Sequence, residues 1–331
     1  MSEPLWQPSA DRIANANITG FTRRLEADWG ATLPDYPSLH TFSIDEMEKF
    51  WSTVWDFCGV VAETKGERIL IDGDKMPGAQ FFPDARLNFA ENLLSRRDDT
   101  PAILFRAEDQ IERQLTWSEL YDEVSRLAQA MRALGVEAGD RIAGFVPNCP
   151  EAIIAMLAAS SIGAIWTSCS PDFGVQGVLD RFGQVEPKML FTADGYHYNG
   201  KPQDSLEKIT TVLADLPSVQ LAVVFPLLSD DPAIENVPNS VHWRHFTAAH
   251  ESKDIDFVQL PFNHPLYIMY SSGTTGVPKC IVHGAGGTLL QHLKEQRLHC
   301  DIKPGDRAFY FTTCGWMMWN WLVTFLASEA T

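Results

Sequence analysis

Between Pro265 and Gly287 the chain reads PLYIMYSSGTTGVPKCIVHGAGG. LYIMY reads as a short apolar strand and KCIVHG as a second. Between them runs Ser271-Ser-Gly-Thr-Thr-Gly-Val-Pro-Lys279, with two glycines, four hydroxyls, one lysine and no acid. Each feature suits a polyphosphate. Gly273 and Gly276 lack Cβ, so the backbone can take positive φ and come close to a ligand. Successive N–H groups can then form an anion-binding nest. Ser271, Ser272, Thr274 and Thr275 add donors for phosphate oxygens. Lys279 is a mobile point charge able to follow a phosphate during reaction. The same composition also suits an ordinary hairpin turn, which favours the same residue types.

The spacing excludes two other nucleotide signatures. A P-loop needs G-x-x-x-x-G-K-[ST], but five residues beyond Gly273 stands Pro278, and Lys279 is followed by Cys280. Gly284-Ala-Gly286 does not complete G-x-G-x-x-G, because Leu289 occupies the last glycine position. His242-Trp-Arg-His245 with His250 lacks the ligand set of a metal site and reads as surface histidine. No metal-ligating residue is expected.

The elements that must position this loop read as repeated βα units. Strands are expected at 102–108 and 112–117, joined by a polar turn. Thr116-Trp-Ser-Glu119 caps a helix to Leu134, which Gly135 ends. Strands follow at 141–146, 164–169, 188–193 and 221–225, with helices over 175–184 and 205–216. Asn148 is expected to cap a further helix with Pro150 in its first turn. Apolar strands alternating with helices mean an α/β fold with a parallel sheet covered on both faces. Upstream, residues 1 to about 80 read as a helical leader. There Ser43-Ile-Asp-Glu46 is expected to cap a helix whose apolar face carries Met47, Phe50, Trp51, Val54, Trp55 and Cys58.

Composition narrows the function classes. The 331 residues carry 43 acids against 26 bases, a formal charge of −17. Without a basic cluster, nucleic acid is an unsuitable partner, because phosphate contacts need grouped Lys and Arg. The most apolar stretch, Ala152 to Trp166, is shorter than the roughly 20 residues of a spanning helix. It reads as a buried helix running into a strand. No basic, apolar leader marks secretion. Six cysteines without a CxxC pair read as reduced, buried thiols, so a cytoplasmic location is expected.

The string YSSGTTGVPK, Tyr270 to Lys279, resembles the phosphate-loop signature of the adenylate-forming superfamily of acyl-CoA synthetases, luciferases and peptide-synthetase adenylation domains. FFPDARLNFAENLL (81–94) looks like the opening of the large domain in the acetyl-CoA synthetase branch. IKPGDRAFYFTTCGWMMWNWLV (302–323), PLWQPS (4–9) and FSIDEMEKFWSTVWDF (42–57) look most like the acetoacetate–CoA ligase family within it. The resemblance covers essentially the whole chain. It implies a leader over 1–80 and an adenylation (AMP-binding) domain over 81–331, incomplete at its C-terminus.

The implied reaction is a two-step ligation using ATP, Mg²⁺ and coenzyme A on a small acid, with release of AMP and pyrophosphate. Other short-chain acids, or a non-catalytic remnant, remain alternatives. The resemblance places Ser271, Ser272, Gly273, Thr274, Thr275, Gly276 and Lys279 on the ATP phosphates, with Thr274, Thr275 and Lys279 making the direct contacts. Trp316 falls on the tryptophan that walls a short acyl pocket, with Met317 beside it; core packing is the competing role for both. Thr313-Cys314-Gly315-Trp316 lacks the acid that acetyl-CoA synthetases carry before Gly-Trp, which favours the acetoacetate branch. In TADGYHYNGK (192–201), Tyr198 and Lys201 stand where acetyl-CoA synthetases place two arginines on the 3′-phosphate of coenzyme A, so Lys201 alone is left for this contact. The adenine-binding segment, the Mg²⁺ ligand, the ribose-binding aspartate and the small C-terminal domain are expected beyond Thr331, on a C-terminal half or a partner chain. WMMWNWLVTFL is expected to be an exposed apolar face.

Overall fold

In the computed structural model, residues 5–108, 111–271 and 276–331 are described. The leader opens with α1 (Ala10–Ala14), α2 (Asn17–Trp29), α3 (Tyr36–Asp45) and α4 (Met47–Phe57). The apolar face foreseen on α4 is present, with Phe50, Val54 and Trp55 buried. Its cap is not the expected one. Ser43 lies inside α3, whose capping box is formed by Asp35 and Ser38 instead, and α4 starts at Glu46 without a side-chain cap. Ser43 Oγ bonds back to the His40 carbonyl at 2.7 Å, so its hydroxyl is spent within the preceding helix.

The strands β1 (Leu70–Ile71) and β2 (Gln80–Phe81) pair antiparallel, and β3 (Arg86–Leu87) leads into α5 (Phe89–Leu93). Asn88 caps α5 through the Glu91 N–H. Its amide nitrogen lies within 3.1 Å of the carbonyls of Ser160, Ser161 and Val258. Asn88 therefore ties α5 to two distant segments. The leader does not stand apart from the rest: Phe21, Leu25, Val54 and Trp55 belong to the same apolar cluster as Leu289, Leu298 and Trp319.

The strands β4 (Pro101–Ala107) and β5 (Ile111–Thr116) form the expected antiparallel pair. The capping box of Thr116 and Glu119 opens α6 (Trp117–Ala133), and Gly135 follows with φ 86°. Then come β6 (Arg141–Phe145), α7 (Pro150–Ile162), β7 (Ile165–Cys169), α8 (Val175–Val185), β8 (Met189–Ala193), the hairpin β9 (Gly195–Tyr198) and β10 (Lys201–Asp204), α9 (Leu206–Ala214), β11 (Leu221–Phe225), β12 (Ser240–His242), α10 (Trp243–Thr247) and β13 (Leu260–Pro261). The chain continues through β14 (Pro265–Tyr270), β15 (Cys280–Gly284), α11 (Ala285–Leu293), a π-helical turn over Lys294–His299, α12 (Met317–Val323) and a 3₁₀ turn to Ser328.

Seven strands form the main sheet in the order β12-β11-β8-β6-β7-β14-β15, parallel except for the edge strand β15. Alternation along the strands divides the core, since successive side chains point to opposite faces. Ile142, Met189, Phe191, Val223 and Phe225 face one cluster, with α6, α7 and α10. Ala143, Phe145, Leu190 and Ala222 face the other, with α8 and α9. This is the doubly covered α/β architecture expected, with the addition of one antiparallel edge. No helix among the described residues is long and apolar enough to cross a membrane.

Asn148 does not cap α7. The cap residue is Cys149, with Pro150 in the first turn and no side-chain bond. Asn148 Oδ1 accepts instead from the Trp319 indole N–H at 2.9 Å. Cys58, Cys149, Cys169 and Cys314 are buried as expected, whereas Cys280 and Cys300 are exposed. The face WMMWNWLVTFL is mostly interior: Trp319, Val323, Phe325 and Leu326 are buried. The large exposed apolar side chains nearby are Phe309, Phe311, Trp316 and Met317.

Candidate functional site

Parallel strands bring the carboxyl ends of β6, β7, β8 and β14 to one edge of the sheet. In open α/β sheets that edge is where ligands bind. Pro147 follows β6, Ser170 follows β7, Asp194 and the β9–β10 hairpin follow β8, and Ser271 follows β14. The candidate loop thus leaves the sheet on its ligand-binding edge.

Its neck is geometrically defined. The ladder of β14 and β15 ends at Tyr270 opposite Cys280. One further step is made outside the strands: the Ser271 N–H donates to the Lys279 carbonyl at 3.0 Å, and the Lys279 N–H donates to Ser271 Oγ at 3.0 Å. Ser271 is therefore the clasp of the loop, with its hydroxyl oxygen already accepting one backbone proton. Ser272, Gly273, Thr274 and Thr275 lie outside the described residues. Gly276 has φ 146° and is exposed, a backbone state that favours glycine. Pro278 is buried, and Lys279 is exposed.

Helix α8 lies behind this neck. Gln184 Nε2 donates to the Pro278 carbonyl at 2.8 Å and to the Asp180 carbonyl on its own helix. The Cys280 thiol lies 3.7 Å from Gln184 Oε1. The Arg181 guanidinium stacks 4.5 Å from the Phe173 ring centre and 5.8 Å from that of Tyr270. Burial pushes the Tyr270 hydroxyl well above its ordinary range and raises the Cys280 thiol as well. Both groups therefore stay protonated near neutrality. Neither Gln184 nor Arg181 was marked by any motif in the sequence. A glutamine at a helix end carries no local signal for a bond made 94 residues away.

The segment after Thr313 is pinned to the same edge. Ser168 Oγ donates to the Cys314 carbonyl at 2.6 Å, and Cys314 Sγ lies 3.4 Å from the Pro147 carbonyl. A Cβ on Gly315 would come 3.3 Å from the Phe173 ring and 3.5 Å from Ser170 N, so the glycine permits a close approach. Trp316 then opens α12 with 67% of its surface exposed, and Met317 is exposed beside it. Among the described residues Trp316 is therefore not part of the packed core. One turn on, Asn320 is buried with Oδ1 unpaired among the described residues. It lines a cavity of about 10 Å³ with Met269, Cys314 and Gly315.

Lys201 lies on the exposed β10, paired with Tyr198 on β9. The structure does not bring it into the loop neck. Asp194, at the root of this hairpin, is structural: its carboxylate accepts from the backbone N–H groups of Leu227, Leu228 and Ser229 at 2.7–2.9 Å. Among the described residues no group of three or more His, Cys, Asp or Glu gathers as a metal site. His242 and His245 stack edge to face at 5.3 Å without such a set.

Comparison with known proteins adds the following. The family model for AMP-binding enzyme matches residues 89–330, and that for acetyl-coenzyme A synthetase N-terminus matches residues 36–93. An acetoacetyl-coenzyme A synthetase of Rhizobium meliloti (strain 1021) is 52% identical over 99% of this chain and 50% of its own. A malonamoyl-CoA synthetase of Penicillium aethiopicum is 42% identical over 99% of this chain and 47% of its own. The solved acetoacetyl-CoA synthetase from Streptomyces lividans superposes with a TM-score of 0.93 at 45% identity, covering 100% of this chain and 51% of that one. The chain spans about half the length of the relatives it matches.

Proposed function

This chain belongs to the AMP-binding enzyme family, and from that premise we propose that it is the N-terminal part of an acetoacetate–CoA ligase. The observation that carries the proposal is the near-complete likeness of the chain to acetoacetyl-CoA synthetases. The loop neck supports it. A carboxylate oxygen of acetoacetate attacks the α-phosphorus of ATP, the bond to the β-phosphate bridge breaks, and pyrophosphate leaves. The sulfur of coenzyme A then attacks the acyl carbon, its proton is lost to solvent or a base, the bond from that carbon to the AMP phosphate oxygen breaks, and AMP leaves as the thioester forms.

The residues of this chain act mainly on the first step. Ser271 and Pro278 fix the loop ends, and Lys279 offers its ammonium to the leaving pyrophosphate. Ser272, Gly273, Thr274, Thr275 and Gly276 complete the phosphate cradle in this reading. Such a loop supplies no nucleophile or base; it orients the leaving group and stabilises its charge. Mg²⁺ arrives on the nucleotide as part of the substrate and neutralises phosphate charge. Trp316 bounds the acyl end. Acetoacetate carries a planar carbonyl at its 3-position, flanked by CH₃. Malonamate has that shape too, with NH₂ in place of CH₃, and a relative named for it makes it the second reading. Lys201 is kept as a contact to coenzyme A. The C-terminal part supplies the remaining nucleotide ligands, and free thiols throughout suit a cytoplasmic setting.

The test is AMP release by the intact protein with ATP, Mg²⁺, coenzyme A and one acid at a time. The proposal expects acetoacetate to exceed acetate and butyrate in kcat/KM. Preference for malonamate would shift the assignment to the second reading, and AMP release with none of these acids would overturn it.

A further inference from the structure

The outgoing limb of the loop is held from two sides, and one of them has no part in the strand ladder. Ser271 fixes the Lys279 N–H and carbonyl. The carbonyl just before Lys279, that of Pro278, is held by Gln184 from α8. Pro278 has no N–H of its own, so this carbonyl is its sole backbone polar group. Both protons of the Gln184 amide are used, one on Asp180 of its own helix and one on the loop. The Asp180 bond fixes the amide, and α8 is itself seated in the core by Val178, Phe182 and Val185. Three hydrogen bonds thus surround one residue, Lys279, whose ammonium must follow a phosphate. Without Gln184 the peptide plane entering Lys279 would be held on one side only, by the Lys279 N–H bond to Ser271 Oγ.

We propose that Gln184 is a positioning residue for Lys279: it ties the exit of the phosphate loop to α8 and so sets where the lysine stem begins. The proposal rests on the function proposed above. It makes Gln184 act through Lys279 on the pyrophosphate-bearing partner, and leaves the acyl end untouched.

The experiment is a double-mutant cycle in the intact protein, read by acetoacetate-dependent exchange of labelled pyrophosphate into ATP. Gln184→Ala is expected to slow exchange about tenfold, less than the roughly 10²-fold that a full 1 Å misplacement can cost. The effect falls on KM for ATP and pyrophosphate, with KM for acetoacetate unchanged. Glutamate at 184 retains the size of the side chain but not the donor, and is expected to be as slow as alanine. In a Lys279→Ala background the Gln184→Ala change is expected to have no further effect, because coupled residues are non-additive. Additive losses, or an equal rise in KM for acetoacetate, would overturn the positioning role in favour of general destabilisation. Exchange absent from the unsubstituted protein would instead overturn the function. The tie is then read from alkylation of the exposed Cys280 thiol, which Gln184→Ala accelerates severalfold if the side chain holds the strand. An unchanged alkylation rate overturns the tie.

Discussion

At Lys279 a fixed backbone carries a mobile charge, and the two properties predict different substitutions. Lys279→Ala keeps the neck bonds, which use no atom of the lysine side chain, and removes the ammonium. Exchange of pyrophosphate into ATP is expected to fall by about 10²-fold or more, the size of comparable electrostatic deletions. An unchanged rate would remove Lys279 from the reaction. Trp316→Ala tests the acyl end proposed above. The ratio of kcat/KM for longer acids over acetoacetate is expected to rise, and a constant ratio would mean that the ring bounds nothing. His292 gives a pH effect remote from the loop. It is buried, its Nδ1 lies 2.9 Å from Thr324 Oγ1, and burial, with a smaller push from His283, lowers its pKa to about 4. The Thr324 hydroxyl bonds the Asn320 carbonyl, so its oxygen accepts and the imidazole is neutral with the proton on Nδ1. The unfolded chain protonates near 6.5 and the folded chain only near 4, so protons favour unfolding between these values. Stability is expected to decline by about 3 kcal/mol as pH falls from 6.5 to 4. His292→Gln should flatten that part of the melting-temperature profile; parallel profiles would exclude His292 as the cause.

Among the elements, α5 and α8 have consequences that their lengths do not suggest. The five residues of α5 are locked by the fully buried Asn88, whose amide serves carbonyls of α7 and of the segment before β13. Asn88→Ala would strip the Val258 carbonyl of this bond and remove the cap on the Glu91 N–H, while the Ser160 and Ser161 carbonyls keep the N–H groups of Gly163 and Val258. It is expected to lower unfolding free energy by about 2–3 kcal/mol, measurable by denaturant titration. A loss below 0.5 kcal/mol would mean that water replaces the amide. Much of this level is legible in sequence. The Thr116–Glu119 box, the strand LAVVF and the helix-to-strand passage at Ile162–Ile165 are written in local patterns, and the structure has them. The two cap assignments that failed are ones in which a polar side chain found another partner. Asn148 reads as a cap, but Trp319, 171 residues on, takes its oxygen. Ser43 reads as a cap, but its own helix absorbs it. Gln184 has no local pattern at all. Local spacing states what a side chain can do and not which distant partner reaches it first.

For the molecule as a whole, the sheet and both clusters are continuous, while Phe309 and Phe311 are 83% and 89% exposed. Exposed aromatic pairs of this kind mark contact surfaces or aggregation liabilities. Residues 1–331 expressed alone are expected to self-associate in light scattering, and Phe309→Ser with Phe311→Ser to reduce the associated fraction. Equal association of both forms would place the liability elsewhere. The resemblance in YSSGTTGVPK pointed to the family, and the comparisons show it, while Thr274 and Thr275, which the resemblance implies for direct phosphate contact together with Lys279, lie outside the described residues. The most direct measurement is therefore chemical. The intact protein is mixed with ATP, Mg²⁺ and labelled pyrophosphate, with and without acetoacetate, in the absence of coenzyme A. Label entering ATP only when acetoacetate is present is the predicted result, because only a reversible acyl-adenylate step makes it. No acetoacetate-dependent label in ATP would contradict the central claim.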